Sequence, residues 1–288
     1  MKNSGIVQEK NVMENENLAQ KALIETTKEV AKELYNDTAK PTAKNIGGFF
    51  GALSGFFNHV VVYPLKKLNI KYEQKTIAFE REMEIKYNNI PEENRTEAEL
   101  HIVGPAMESL KYNIMNDDLA EMFSNLLISD LDNRTQNLCS PAFVKIIEQL
   151  SPTDAKVYKY LFEHLKRAPL PICGAKICTQ NDERQVYPIK LPLYFSQKDM
   201  DIDSFVFSSS ISNLEHLGLL DLNFIQFFKD KNVYQNIVET DKYVSGCVER
   251  MKNLGNTNFK VVTERNGIIK LTDFSLSFAK VCFREDVK

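Results

Sequence analysis

The stretch SPAFVKIIEQLSPTDAKVYKYLFEHLKR, residues 140–167, decides the fold class of this chain. Ser140-Pro141 and Ser151-Pro152 each place a capping side chain before a proline, which is the start signal of a helix. After each signal, apolar residues return at helical spacing, so that one face of each helix can enter a core. These residues are Phe143, Ile146, Ile147 and Leu150, then Val157, Tyr158, Leu161, Phe162 and Leu165. The stretch therefore predicts two consecutive amphipathic helices.

The chain before this stretch is also predicted to be helical. Residues 1–16 form a polar tail, and residues 17–95 form a helical N-terminal region that contains an apolar helix and a charged helix. Residues 96–150 form a helical middle, in which Gly104-Pro105 is expected to bend or split one helix. Asn116 or Asp117 is the expected cap of the helix that ends near Leu131.

The composition changes after Arg167. Prolines and short β-prone runs become frequent there, and they predict strands and loops. A helix is predicted from Ser204 to His216, followed by a short strand. Residues 259–263 and 268–272 flank an Asn-Gly pair, which is the strongest short hairpin signal. The succession of helix, strand, helix and β-hairpin predicts a C-terminal winged-helix-like module over residues 151–288. It contains an insertion, residues 223–258, with one or two further amphipathic helices, which are suggested by Phe224, Phe227, Phe228, Tyr234, Ile237 and Val238. The expected fold is mainly α with a smaller α+β part.

Composition limits the classes of function. The 288 residues are 43% hydrophobic and 26% charged, which is typical of a globular protein with a sizeable core. The net charge of −3 argues against a general binder of nucleic acid, which needs a surplus of basic residues. The five cysteines are odd in number and widely spread, and the N-terminus has no apolar signal segment. The sequence therefore predicts a cytoplasmic protein with reduced thiols.

The most unusual segment is IGGFFGALSGFFNHVVVYPL, residues 46–65, which carries no formal charge. Its glycines recur every fourth residue, so on a helix they form a groove that another backbone can approach closely, a glycine zipper. The expected contact residues are Gly47, Gly51, Gly55, Phe49, Phe50, Phe56 and Phe57. Two interpretations stay open. The helix is either buried in its own domain, or it contacts a membrane or another subunit, with peripheral attachment at the inner face of the membrane.

No recognisable catalytic motif accompanies the titratable residues. The four histidines are scattered, and the spacing of Cys173 and Cys178 lacks the second ligand pair of a structural zinc site. The polar cluster of Asp130, Asp132 and Arg134 is interpreted as a salt-bridged loop at a helix end rather than a metal or phosphate site. We expect no catalytic residue, no metal, no cofactor and no small-molecule substrate.

The winged-helix-like module raises an alternative hypothesis, a DNA-binding transcriptional regulator. Its contacts would come from Lys260, Arg265 and Lys270 of the hairpin, but Glu264 opposes them. Residues 195–217, which include the predicted helix that would read DNA, carry one lysine against four acidic residues, so nucleic acid is not the expected partner. The expected partners are a second copy of the chain, which would make an oligomer, or another protein, with a membrane surface as a further candidate.

Several segments together resemble the abortive infection alpha (Abi-alpha) family of bacterial proteins. The most specific is Pro141–Pro152, already quoted. The others are 103–106 with 110–112, 121–127, 214–220 and 271–274. This resemblance, which runs from about Ala31 to the C-terminus, implies a bacterial role in antiviral defence, namely abortive infection after phage attack. It supplies no catalytic residues to carry over. The leading hypothesis is an antiphage protein that acts through protein–protein or membrane contacts and is not an enzyme.

Overall fold

The computed structural model describes residues 70–284 of the chain. The protein is mainly α-helical, with a smaller α+β part near the C-terminus, as the sequence predicts. Its described residues divide into two compact units, residues 70–148 with 281–284 and residues 149–280. Each unit is described separately below.

Four helices build the first unit, namely α1 (Ile70–Asn88), α2 (Leu100–Asn113), α3 (Asp117–Asp130) and α4 (Pro141–Gln149), the last residue of which belongs to the second unit. Helix α3 is central and is contacted by α1 and α2. It begins at the expected cap, where Asn116 Oδ1 accepts the Leu119 N–H at 3.0 Å. Its apolar side chains are buried, as the helical spacing predicts; they include Leu119, Met122, Phe123, Leu126 and Leu127.

Helix α2 continues through Gly104-Pro105. The proline lies inside one helix, so of the two expected outcomes the split into two pieces is wrong. The side chain of Ser109 one turn later donates a hydrogen bond of 2.8 Å to the Pro105 carbonyl oxygen. Ile102, Val103 and Ala106 on both sides of the proline are buried, so the packing of this face outweighs the local cost of proline in a helix.

The second unit begins with α5 (Pro152–Leu165), which has a complete capping box. Ser151 Oγ accepts the Asp154 N–H at 3.0 Å, and Asp154 Oδ2 accepts the Ser151 N–H at 2.9 Å. The chain continues through β1 (Leu170–Thr179), β2 (Phe195–Ser196), α6 (Ser204–His216) and β3 (Leu220–Asn223). Then follow α7 (Asn232–Thr240), α8 (Lys242–Asn253), β4 (Phe259–Leu271) and α9 (Asp273–Cys282). The last two residues of α9 belong to the first unit.

The four strands form one antiparallel sheet in the order β2-β1-β4-β3. The unit keeps the predicted succession of helix, strand and helix, but β4 pairs with β1 and, across a long connection, with β3 instead of folding into the predicted hairpin. The insertion between them forms the two helices α7 and α8. Side chains of these helices join those of β1 and β2 in one core, which contains Cys173, Ala175, Phe195, Tyr234, Val238 and Val244.

The prediction of a tight hairpin at Glu264-Arg265-Asn266-Gly267 is wrong. Residues 259–271 form a single strand, because β1 pairs along nearly its whole length and keeps it extended. The turn-prone residues form a β-bulge instead. Ile172 lies opposite Gly267 and Gly174 lies opposite Glu264, so that one residue of β1 faces Arg265 and Asn266. Arg265 takes the positive φ of 49° that such a bulge uses.

Candidate functional site

The contact residues predicted in the glycine zipper lie outside the described residues. These are Gly47, Gly51, Gly55, Phe49, Phe50, Phe56 and Phe57. From residue 70 to residue 284, no helix is both long enough and apolar enough to span a membrane. The site described below therefore comes from the second unit.

The three basic residues of the DNA-binding hypothesis do not lie on one turn. Lys260 forms an ion pair with Glu183, with 2.7 Å between Nζ and Oε1. Lys270 Nζ donates to Gln226 Oε1 at 2.7 Å, and the Arg265 guanidinium lies 4.8 Å from the centre of the Phe224 ring. Arg265 and Lys270 thus both contact the segment that follows β3, and Lys260 is separated from them along β4.

That segment, residues 224–231, is named here the apolar loop. It reads FIQFFKDK and joins β3 to α7. Three of its apolar side chains project into solvent: Ile225 is 89% exposed, Phe227 57% and Phe228 37%. An isolated exposed apolar residue is ordinary on a protein surface, but three within four positions form a patch of the kind that marks a contact site.

The backbone of the apolar loop is fixed by side chains at both ends. At the start, Asn223 Oδ1 accepts the N–H groups of Ile225 and Gln226, both at 2.9 Å. At the end, the Phe228 N–H donates to the hydroxyl of Tyr234 at 2.8 Å. The same hydroxyl donates to the Gly267 carbonyl oxygen at 2.9 Å, and the Tyr234 side chain is fully buried. The loop is therefore tied to the bulge of β4.

Phe224 anchors the loop to the sheet, and the bulge supplies the space for it. Its ring stacks on Tyr194 with 5.7 Å between centroids, and Arg265 covers it. A Cβ atom at Gly267 would lie 2.5 Å from the Asn223 carbonyl oxygen and 2.7 Å from a carbon of the Phe224 ring. Only glycine allows this close approach. The Asn-Gly pair thus has a structural role different from the predicted turn.

Charged residues border the exposed tip. Lys229 and Lys231 are exposed, and neither ammonium group forms an ion pair with the described part of the chain. Asp230 between them uses its carboxylate to accept the Asn232 N–H at 2.9 Å. The arrangement can offer two cationic groups and three apolar side chains to the same partner.

The second unit also contains a cleft of about 630 Å³, within the usual size range of ligand pockets. Its best-formed polar contacts join Lys198, Ser204 and Asp241. Ser204 Oγ donates to Asp241 Oδ2 at 2.6 Å, and Lys198 Nζ lies 3.0 Å from Ser204 Oγ and 3.6 Å from Asp241 Oδ2. Lys198 also donates to the Ile202 carbonyl oxygen, and the second oxygen of Asp241 caps α8. These groups hold three segments together, so they act as structural contacts.

In the first unit, the polar cluster after α3 forms the salt-bridged loop that the sequence predicts. Asp132 is buried and accepts two hydrogen bonds from the Arg134 guanidinium, at 2.9 and 2.7 Å, with Arg284 3.7 Å away. Burial would raise the pKa of Asp132, but the bonds from Arg134 outweigh it, so that the pKa is lowered. Among the described residues, no three His, Cys, Asp or Glu side chains are grouped to hold a metal ion.

Asp130 in this cluster differs from its neighbour. Its Oδ2 accepts the Glu99 N–H at 2.7 Å, but its buried Oδ1 has no hydrogen-bond partner among the described residues. Burial raises the pKa of Asp130 to about 7. The ionised form of Asp130 is poorly stabilised at this position. One of its oxygens has no partner among the described residues, and the carboxyl lies at the negative end of the α3 dipole.

All five cysteines are free thiols, as predicted. Cys173, Cys178, Cys247 and Cys282 are buried, and Cys139 is partly buried. Burial raises the pKa of Cys139 and Cys173 to about 12, and it raises that of Cys282 as well. Thiols in such surroundings are poor nucleophiles, which fits a packing role.

The apolar loop is not predicted by the sequence alone. The apolar pattern places Phe224, Phe227 and Phe228 on an amphipathic helix, in which they would be buried. Phe224, Phe227 and Phe228 are three and four positions apart, which is the spacing of one helix face, so the local pattern gives no signal for the exposed loop.

Comparisons with known proteins give one match. The family model described as abortive infection alpha matches residues 71–282, which is most of the chain. Among curated proteins and solved structures, none matches the chain. The family match includes both described units, the apolar loop and the segments that carry the resemblance. The chain belongs to the abortive infection alpha family.

Proposed function

We propose that this protein is a bacterial antiphage protein that causes abortive infection through contact with a protein or a membrane, without catalysis of its own. The family supports the role in abortive infection. The observation that carries the contact mechanism is the apolar loop, in which Ile225 and Phe227 are held exposed on a fixed backbone. Hydration of these side chains is unfavourable, so a partner that covers them gains free energy.

Two further features support a contact mechanism. Residues 46–62 form an uncharged run of 17 residues with three regularly spaced glycines, which suits close packing against another helix or shallow insertion into a bilayer. The cleft in the second unit adds no support for catalysis, because its best-formed polar groups, Lys198, Ser204 and Asp241, are engaged with one another.

The test is protection from phage in a sensitive bacterial strain. We expect Ile225→Ser with Phe227→Ser to lower the efficiency of protection without changing the amount of folded protein. Leu254→Ser is the matched control, since Leu254 is another exposed apolar residue of the second unit, with 80% exposure. Full protection by the double variant would refute the role of the loop.

A second variant tests the glycine zipper separately. Gly51→Leu fills the groove that the three glycines would form, so we expect it to weaken membrane association or self-association together with protection. Size-exclusion chromatography with light scattering, with and without vesicles, measures both kinds of association. A variant that keeps full association and full protection would remove the zipper from the mechanism.

DNA binding is the alternative hypothesis, and the exposed position of Arg265 on the bulge is the observation in its favour. It predicts salt-dependent binding to duplex DNA that Arg265→Ala weakens. Phosphate contacts are strongest at low ionic strength. No binding at about 50 mM salt would therefore exclude this hypothesis.

A further inference from the structure

We infer that the apolar loop docks this protein on an anionic lipid bilayer. Ile225, Phe227 and Phe228 enter the headgroup region, and Lys229 and Lys231 contact the lipid phosphates. This inference rests on the proposed function, because it names the partner of the same loop.

The exposure of the tip favours lipid. The three apolar side chains lie on the eight-residue apolar loop, and Ile225 is almost wholly exposed. A protein partner would have to provide a matching pocket, whereas the interfacial region of a bilayer adapts to any apolar projection. The tip carries two phenylalanines, and phenylalanine is among the apolar residues that interfacial segments bury at the headgroup boundary.

The hydrogen bonds of the backbone lower the cost of docking. Peptide groups that lose water need other partners, and the apolar side of the interface offers few. The N–H groups of Ile225 and Gln226 are already bound by Asn223, and that of Phe228 is bound by Tyr234. Three donors of the inserting segment therefore reach the bilayer with their hydrogen bonds formed. The fixed conformation also means that little ordering is required on docking.

The charges select an anionic surface. Lys229 and Lys231 follow the apolar tip directly, and long lysine side chains can extend to phosphate while their stems remain in apolar surroundings. Each basic residue close to an anionic bilayer strengthens binding about fivefold. Asp230 between them accepts the Asn232 N–H and keeps its negative charge, so these three residues together carry one net positive charge. Arg265 and Lys270 lie against the base of the loop and add positive charge there.

The absence of tryptophan from the sequence allows a direct test on the full chain. Phe227→Trp introduces a single fluorophore at the tip, and Leu254→Trp introduces one at an exposed control position. We expect vesicles that contain phosphatidylglycerol to shift the emission of the first variant to shorter wavelength and to leave the second unchanged. Vesicles of phosphatidylcholine alone should give a much smaller shift. Equal shifts in both variants, or no shift in either, would overturn the inference.

Cosedimentation with the same vesicles measures how much the lysines and the apolar side chains of the loop each contribute to binding. Replacement of Lys229 and Lys231 by Gln should weaken binding about 25-fold, which is two fivefold factors. Ile225→Ser with Phe227→Ser should weaken it by at least about 100-fold. The Leu254→Ser control should bind like the natural sequence. If the double serine variant binds vesicles fully, the loop is not the docking element and the inference fails.

The phage assay separates this inference from the proposed function. Loss of protection by the double serine variant, with no vesicle binding by the natural chain, would refute lipid as the partner and leave a protein partner for the loop. Full protection by that variant would refute the proposed role of the loop, whatever the vesicles show.

Discussion

The buried carboxyl group of Asp130 predicts that the first unit loses stability as the pH rises towards 7. Its pKa is about 7 in the folded chain, against 3.8 for an unperturbed aspartate. The folded state thus holds a proton that the unfolded chain releases. The stabilisation that this proton gives to the folded state is fully present below pH 3.8, and it is lost as the pH rises through about 7. The whole effect is about 4 kcal/mol, at about 1.36 kcal/mol for each pH unit between the two values.

Asp130→Asn removes this titration and keeps an oxygen for the Glu99 N–H. Between pH 5 and pH 8, we expect the free energy of unfolding of the natural protein to fall by about 3 kcal/mol relative to the variant. Above pH 7 the variant should be the more stable protein, although the buried amide N–H₂ offsets the gain by about 1–3 kcal/mol. The predicted change in relative stability between pH 5 and pH 8 does not depend on that offset, because the offset is the same at both pH values.

Urea denaturation followed by circular dichroism gives the free energies, and hydrogen exchange of the α3 amides reports the first unit alone. Asp117→Asn is the matched control, because Asp117 is an exposed carboxyl at the other end of the same helix. Glu99 and Cys139 are the other titratable groups that interact with Asp130, and both carry the same sign of charge when ionised. If the free energies of unfolding of the natural protein and of Asp130→Asn change in parallel with pH, the Asp130 carboxylate is stabilised by its surroundings. That result would refute a raised pKa of this group in the folded state.

Three further predictions concern the second unit, all measured as changes in the free energy of unfolding. Gly267→Ala should destabilise it by about 1–3 kcal/mol, because the added Cβ would overlap the Asn223 carbonyl oxygen; an unchanged midpoint in urea would mean that the bulge can relax. Tyr234→Phe removes the hydroxyl that joins the apolar loop to the bulge and should cost about 1–3 kcal/mol, with faster exchange of the loop amides. Ser151→Ala deletes one half of the capping box and should cost about 0.5–2 kcal/mol; a neutral result would show that Asp154 alone is sufficient.

Local sequence patterns were sufficient for most helices. The start of α5 at Ser151-Pro152 and the cap of α3 at Asn116 follow from hydrogen bonds between residues three positions apart, so the sequence contains all the partners. The buried faces of these helices follow from the helical period for the same reason. The family, too, was recognisable from these segments and is confirmed over residues 71–282.

Contacts between distant parts of the chain decided the features that local sequence patterns do not predict. The Asn-Gly pair has a strong preference for a hairpin turn, but β1 offers a partner strand on one side, and the pair becomes a bulge. Pro105 has a strong preference against a helix interior, but the buried face of α2 outweighs it. In both cases a preference of about 1–3 kcal/mol competes with packing and hydrogen bonds of larger total magnitude.

By itself, the sequence determined that this protein is mainly helical, where its helices α3 and α5 begin, and to which family it belongs, because each of these depends on neighbours along the chain. Only the tertiary structure decided that residues 224–231 stay exposed. Their position depends on Asn223, on Tyr234 in the following helix and on Gly267 in the last strand. The bond from Tyr234 to Gly267 joins residues 33 positions apart, and the helical spacing of the loop's own apolar residues predicts burial, which is why the apolar loop could be identified only in three dimensions.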